Sequence, residues 1–293
     1  MSKIKIGFIG QGYVGKNYAD DFEARGYSVV RYAKEKPYNK SKEAIKECDV
    51  VFIAVPTPTT SNGFDGSIIR NVLSLVGKGR IAVIKSTVVP GTTKSIQEEN
   101  PDIFVLHSPE FLTEITAAHD TKNPSLNIIG LPIQNKIFQK KAHQVLNLLP
   151  KAQHEKICLA EEAELIKYAH NNLGYVKLIF INMVYDLAIK FGADWVVIRE
   201  ALASDPMVAT KLNYHLDPVY GGGRGAGGHC LIKDFEAFTR LYEETFPQDT
   251  GSIGVLRGNV KKNIELLRSS GKDVEILESV YNISNNNKKY AQK

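Results

Sequence analysis

A chain of 293 residues with 43% apolar side chains is long enough to bury two cores, and its 37 basic against 32 acidic side chains give a net charge of only +5. The basic residues are scattered, which excludes a nucleic-acid stripe while leaving small anions as ligands. Apolar runs, the longest near Val50 to Val55, fall short of the ~20 residues of a membrane span, and Met1 leads straight into a strand and a Gly-rich turn, so neither a span nor a secretory signal is expected.

Cys48, Cys158 and Cys230 lie far apart without a CxxC pair. That spacing argues against a zinc cage or a disulfide framework, predicts no metal site, and points to a reducing cytoplasm. A thiol kept reduced remains available as a nucleophile.

In chain order, Ile4 to Ile9 reads as a strand, Val14 to Arg25 as a helix stopped by Gly26, and Tyr27 to Tyr32 as a second strand, which together make a crossover unit. Apolar runs at Val50 to Val55, Ile81 to Ile84 and Ile103 to Leu106 suit buried parallel strands, with Ile128 and Ile129 in a last strand and a helix over Lys136 to Leu149. Ala160 to Phe191 has helical spacing and no Pro, so one helix longer than ~40 Å is expected, forming the spine of a second domain or a dimer contact. Further helices are expected over Asp194 to Leu202, Asp234 to Glu244 and Gly251 to Ser269. Between them lie an irregular Pro206 to Tyr220 and a Gly-rich Gly221 to Gly228, and Asn282 to Lys293 reads as a frayed polar tail. The fold class is α/β: a doubly wound sheet over 1–157, a helical domain over 158–250 built on the long central helix, and a helical extension with the tail over 251–293.

Gly10, Gly12 and Gly15 form G-x-G-x-x-G between the first strand and the first helix, the setting in which a backbone turn and a helix N-terminus receive a dinucleotide pyrophosphate. An acid that bonds the adenosine ribose hydroxyls is expected near the end of the second strand, where Tyr32-Ala33-Lys34 stands instead. With Arg31, Lys34 and Lys36 close by, NADP stays open beside NAD, as does a ribose covered by Glu35 or backbone. Cys230 follows a run of glycines and a His, on backbone that a ligand can approach closely, and is the candidate nucleophile. Lys167 and Asn171, four apart on the long helix, share a face and can both donate to an oxyanion. Glu110 and Glu114 have the same spacing and are expected on one face of a short helix. Lys233 reads as a surface or ion-pair lysine and not a catalytic one.

Val55-Pro56-Thr57-Pro58, Lys85-Ser86-Thr87-Val88-Val89-Pro90-Gly91-Thr92-Thr93, Ser108-Pro109-Glu110-Phe111-Leu112-Thr113-Glu114, Lys167 with Asn171, and Gly225-Ala226-Gly227-Gly228-His229-Cys230-Leu231-Ile232-Lys233-Asp234 occur in one order. Over about residues 3 to 250 the chain thereby resembles the UDP-glucose/GDP-mannose dehydrogenase family, and its Cys loop is most similar to the branch that oxidises UDP-N-acetylhexosamines. The resemblance implies a Rossmann-like sheet domain, a cytoplasmic homodimer formed through the long helix, and four-electron oxidation of a sugar's primary alcohol to a carboxylate for polysaccharide biosynthesis. It implies catalytic roles for Cys230, Lys167, Asn171, Asp234, Glu114 and Thr87, with Asp234 orienting water or Lys167. Cofactor contacts carry over to Gly10, Gly12, Tyr13, Val14, Gly15, Lys34, Val55, Pro56, Thr57, Thr87 and Glu114. Substrate contacts carry over to Glu110, Phe111, Leu112, Lys167, Asn171 and Gly227.

The chain departs from the family where Arg-Glu-Gly becomes Thr113-Glu114-Ile115, Pro-Asp-Arg becomes Pro124-Ser125-Leu126 and Asn-Glu becomes Asn182-Met183. It also ends soon after the helix at Gly251 to Ser269, so a short form lacking the family's C-terminal UDP-binding domain is expected, its substrate being a smaller alcohol or sugar, a nucleotide sugar held by a partner or dimer mate, or a group attached to a carrier. The alternatives are a two-electron hydroxyacid or 6-phosphogluconate-type dehydrogenase and a non-catalytic dinucleotide-binding module.

Overall fold

The structure is a computed structural model that describes residues 4–209 and 213–283. The expected frayed tail falls mostly outside them. Two compact units emerge, one comprising residues 1–58 and 65–167, the other 59–64 and 168–293.

The first unit is built on a seven-stranded sheet. Its strands are β1 (Lys5–Ile9), β2 (Ser28–Tyr32) and β3 (Val50–Ile53); after a hairpin of β4 (Thr59–Thr60) and β5 (Gly63–Phe64) that belongs to the second unit come β6 (Ile81–Ile84), β7 (Phe104–His107), β8 (Leu126–Leu131) and β9 (His154–Leu159). The order β2-β1-β3-β6-β7-β8-β9 is parallel except where β8 runs against β7. Because the chain leaves β1 toward β2 and returns on its other side to β3, the order reverses at β1, which opens a crevice beyond the carboxyl ends of β1 and β3. Strands β3 and β6 are buried along their whole length, as expected for Val- and Ile-rich strands covered on both faces. Helix α1 (Tyr13–Ala24) lays Tyr18, Ala19 and Phe22 on Phe8 and Phe52, and Phe22 meets Phe8 edge-on with ring centroids 5.4 Å apart.

The last strand is β9, not the one at Ile128 and Ile129. Its sequence, His-Glu-Lys-Ile-Cys-Leu, opens on three polar residues and none of its positions is fully buried, as suits an edge strand, so it lacks the long apolar run that marks the central ones. Helices α2 (Ser67–Leu73), α3 (Thr92–Glu99), α4 (Ala117–Lys122) and α5 (Lys136–Leu146) complete this unit; Asn135 caps α5 by accepting from the amides of Ile137 and Phe138.

Helix α6 runs from Ala160 to Lys190 as one helix. Its first turns belong to the sheet unit, which therefore extends past the boundary expected at 157. Gly130 on β8 allows this: a side chain there would strike Ala160 Cα and Ala163 Cβ, each 2.8 Å from the Cβ position.

In the second unit, α7 (Trp195–Ser204) is capped by Asp194, and β10 (Val219–Tyr220) pairs with β11 (Gly223–Arg224). Helices α8 (His229–Thr245), α9 (Thr250–Ser270) and α10 (Val274–Tyr281) follow. Tyr175, Leu178 and Ile179 of α6 pack with Phe235 of α8 and Val260 of α9, and Tyr175 stacks on Phe235 at 3.9 Å. Helix α6 has the length and apolarity of a membrane span, yet this face of it is core. The opposite face exposes Leu173 (72%), Phe180 (59%) and Leu187, and Phe191 (80%) follows just past its end.

Candidate active site

At the turn between β1 and α1 the three glycines meet three different constraints. Gly10 has φ +90°, and a Cβ there would lie 2.2 Å from the carbonyl oxygen of Ala54; one on Gly15 would lie 2.0 Å from that of Gly10. Both positions are closed by backbone, and Gly10 is tied to the end of β2 by its amide, which donates to Tyr32 O at 2.9 Å. A Cβ on Gly12 meets nothing within 4 Å, and Gly12 caps α1 without any side chain. An open face at the middle glycine, over a helix N-terminus capped by no side chain, fits a dinucleotide pyrophosphate. Tyr13 and Val14, also expected at the cofactor, form the first turn of α1.

The next strand ends supply a second wall. Val55 donates its amide to Ser86 Oγ (3.0 Å), and Ser86 Oγ donates to Val55 O (2.7 Å). Thr57 Oγ1 donates to the carbonyl of Thr87 (2.8 Å), so the segments bearing Val55, Pro56, Thr57 and Thr87 are held together. Lys34 is exposed beyond β2.

After β7 the chain is extended, and Glu110 and Glu114 do not share a helical face. Pro109 and the buried hydrogen bonds of Glu110 keep this stretch irregular. Glu110 is buried and Glu114 opens a short 3-10 turn in solvent. Glu110 Oε1 accepts from Lys167 Nζ at 2.9 Å and its Oε2 from the Leu112 amide at 2.7 Å, and Lys167 Nζ lies 5.6 Å from the Phe111 ring. Burial opposes charge on Glu110, but Lys167 and these hydrogen bonds outweigh it and hold the carboxyl below its usual range.

Lys85 received no role from sequence, although a lysine ending the apolar run Ile81 to Ile84 was the available signal. It is buried, donates to Ser108 Oγ (3.2 Å), and sits 4.3 Å over the Tyr18 ring. Burial, countered in part by Glu110, pulls its ammonium down to about 7. Glu164 was also missed. From α6 it accepts from the amides of Gly91 (2.7 Å) and Thr93 (2.9 Å) and from the Thr93 hydroxyl (2.6 Å), capping α3, and burial pushes its carboxyl up to about 7. Nothing in a Glu-rich helix start distinguishes this carboxylate from its neighbours Glu161 and Glu162.

In the second unit Cys230 is the second residue of α8, not a loop residue. Gly228, with φ +80°, lets the chain turn into the helix earlier than the expected start at Asp234. Cys230 and Asp234 are one helical turn apart. Asp234 is buried, accepts from Asn171 Nδ2 at 2.6 Å and pairs with Lys233. Lys167 and Asn171 are thus spaced one turn apart on α6, yet each is engaged with its own carboxylate.

The glycine loop before Cys230 is clamped from α9 and α10. Asn263 bonds both the amide (2.7 Å) and the carbonyl (3.0 Å) of Ala226, and Asp273 accepts from the Gly228 amide at 2.7 Å. Gly227, expected at the substrate, has Asp273 Oδ2 2.2 Å and Lys272 Cε 2.4 Å from its Cβ position, so its α-carbon face is covered by this chain. Of the other thiols, Cys48 and Cys158 are pushed up to about 11 by burial, away from thiolate chemistry. Among the described residues no group of three His, Cys, Asp or Glu side chains is placed to hold a metal ion.

Two family models match the chain: the UDP-glucose/GDP-mannose dehydrogenase family NAD binding domain over residues 30–147 and the central domain of the same family over 161–250. The Gly10–Gly15 turn precedes the first matched stretch, so its reading stands on the geometry above. A Methanocaldococcus jannaschii protein, MJ1054, is 32% identical over 215 residues, which is 69% of this chain and 23% of that one. The UDP-glucose 6-dehydrogenase AglM of Haloferax volcanii is 25% identical, with 94% of this chain and 75% of AglM covered. A solved UDP-glucose dehydrogenase of Pyrobaculum islandicum superposes with a TM-score of 0.76 at 25% identity, over 94% of this chain and 71% of the other. The chain therefore spans under a quarter of the first curated relative and about three quarters of the second. With both models in their proper order around a sheet that reverses at β1, the chain belongs to the UDP-glucose/GDP-mannose dehydrogenase family.

Proposed function

We propose that the protein oxidises the primary alcohol of a sugar, a nucleotide sugar in the first instance, to a carboxylate, with NAD rather than NADP as the hydride acceptor. The observation that carries this reading is the Asn171–Asp234 hydrogen bond, which ties an amide of α6 to a buried carboxylate one turn beyond Cys230 on α8.

NAD+ bound at the glycine turn would supply the acceptor for one hydride per oxidation, so two molecules are consumed in succession for each carboxylate formed. In the first oxidation the alcohol gives up its hydride to the acceptor and its proton to solvent water; Lys167, steadied by Glu110, and Asn171, steadied by Asp234, donate to the developing oxyanion. Cys230 sulfur then adds to the aldehyde carbon, a C–S bond forms, and the carbonyl oxygen takes a proton. Loss of the hydroxyl proton and of the second hydride leaves a thioester on Cys230. Water held by Thr87 and deprotonated by Glu114 adds to its carbon, the C–S bond breaks, and the thiolate leaves as the carboxylate forms. The helix N-terminus at Cys230 favours that leaving negative charge.

The wide spacing of Cys48, Cys158 and Cys230 along the chain, without a CxxC pair, supports a reducing compartment, the cytoplasm. The test is NADH formation against a panel of nucleotide sugars with the matching free and phosphorylated sugars, beside Cys230→Ala. Two NADH per carboxylate, lost in the variant, is the expected result. One NADH per product with Cys230→Ala fully active would replace this chemistry with a two-electron dehydrogenase, and NAD binding without turnover of any substrate would favour a binding module.

A further inference from the structure

We infer that Asp20 and Glu23 on α1 set the cofactor preference by holding Arg31 away from the adenosine ribose, so that the protein selects a dinucleotide without a 2′-phosphate. The inference rests on the cofactor reading above and goes beyond it to the residues that discriminate.

No acid occupies the end of β2, and Ala33 there is buried, so the usual carboxylate cannot reject a 2′-phosphate. A guanidinium beside that position would ordinarily attract one. Arg31 stands on β2 next to Tyr32, whose carbonyl accepts from the Gly10 amide, so it lies on the strand end that abuts the phosphate turn. Its Nε and Nη2 are nevertheless committed to carboxylates of α1. Nε and Nη2 form a two-pronged contact with Glu23 at 2.9 and 2.7 Å, and Nη2 also donates to Asp20 Oδ1 at 2.6 Å. Lys16 binds the other oxygen of Asp20 at 2.6 Å, so two cations and two anions close on themselves without net charge.

Arg31 is only 12% exposed, whereas Asp20 and Glu23 are each nearly half exposed. An arriving 2′-phosphate would meet the carboxylates and not the guanidinium, whereas a ribose diol, being neutral, is indifferent to that field. Lys34 and Lys36 are exposed and separate from this cluster, and exposed single lysines bind a phosphate only weakly.

The experiment is direct calorimetric titration of NAD+ and NADP+ at one ionic strength, with no substrate present, on three proteins. These are the unaltered chain, the pair Asp20→Asn with Glu23→Gln, and that pair combined with Arg31→Ala. The unaltered chain is expected to favour NAD+ by tenfold or more; the pair, which frees Arg31 without removing it, should tighten NADP+ roughly tenfold and leave NAD+ within about twofold. Adding Arg31→Ala should cancel the gain. An unchanged ratio in the pair overturns the inference, as does a gain that survives Arg31→Ala, because it would come from the lost negative field alone. An unaltered chain that binds NAD+ yet prefers NADP+ overturns the inference and leaves the dinucleotide reading standing. Binding of neither dinucleotide overturns that reading and this inference with it. Far-ultraviolet circular dichroism on all three proteins checks that the fold is intact.

Discussion

Gly12 and Gly15 stand three residues apart in one turn and answer to different forces, which makes them separable by the same substitution. Gly15→Ala drives a methyl to 2.0 Å from a backbone oxygen and should destabilise the sheet unit, whereas Gly12→Ala fills open space and should leave urea stability within about 0.5 kcal/mol while weakening NAD+ binding at least ~10-fold. Paired urea unfolding and calorimetry check this; a Gly12→Ala protein that binds NAD+ normally would remove the pyrophosphate from that face. Glu164 offers a pH signature. Its carboxyl sits near 7 in the fold against about 4.5 unfolded, so the folded state keeps a proton that the unfolded state has lost between those values. Stability contributed by this group therefore falls as pH rises from about 4.5 to about 7 and is flat outside that window. Glu164→Gln should flatten that part of the stability profile, as followed by urea unfolding across the window. Lys167→Met should cost about 3–5 kcal/mol in the same assay, because it strands the buried Glu110 carboxylate.

At the scale of elements, α6 does two jobs with two ends of one helix. Its first turns lie on β8 over Gly130 and cap α3 through Glu164, and its later turns form the core of the second unit through Tyr175, Leu178 and Ile179. The remaining face carries Leu173, Val176, Phe180, Met183 and Leu187, spaced three or four apart and exposed to water, with exposed Phe191 just past the helix end. We propose that a second copy of the chain covers this stripe. Sedimentation equilibrium should give a dimer, and Phe180→Glu with Leu187→Glu should shift it to monomer by introducing charges that cannot be buried unpaired. A monomer before substitution would contradict the proposal. Helix α6 was legible because 31 residues pass without Pro at a 3.6-residue period. The start of α8 was not, because Gly227 and Gly228 read as loop and only the φ of +80° at Gly228 turns His229 and Cys230 into a first helical turn.

For the whole molecule, the sheet unit carries the glycine turn whose open middle position fits a dinucleotide, and the helical unit carries Cys230; the proposed reaction draws on both. The clamp of Asn263, Lys272 and Asp273 on the glycine loop ties α9 and α10 into the second unit, so the helices after residue 250 are part of its framework.

Periodicity and short motifs determined the α/β class, the glycine turn, the long helix and the family, since each depends on neighbours within a few residues or on the order of motifs along the chain. Tertiary structure decided which partner each charged group takes. Glu110 with Lys167, Asn171 with Asp234, and Arg31 with Asp20 and Glu23 are 57, 63, 11 and 8 positions apart. Burial then sets their strength, because a charge removed from water must find its partner in space and local spacing along the chain carries no record of that partner.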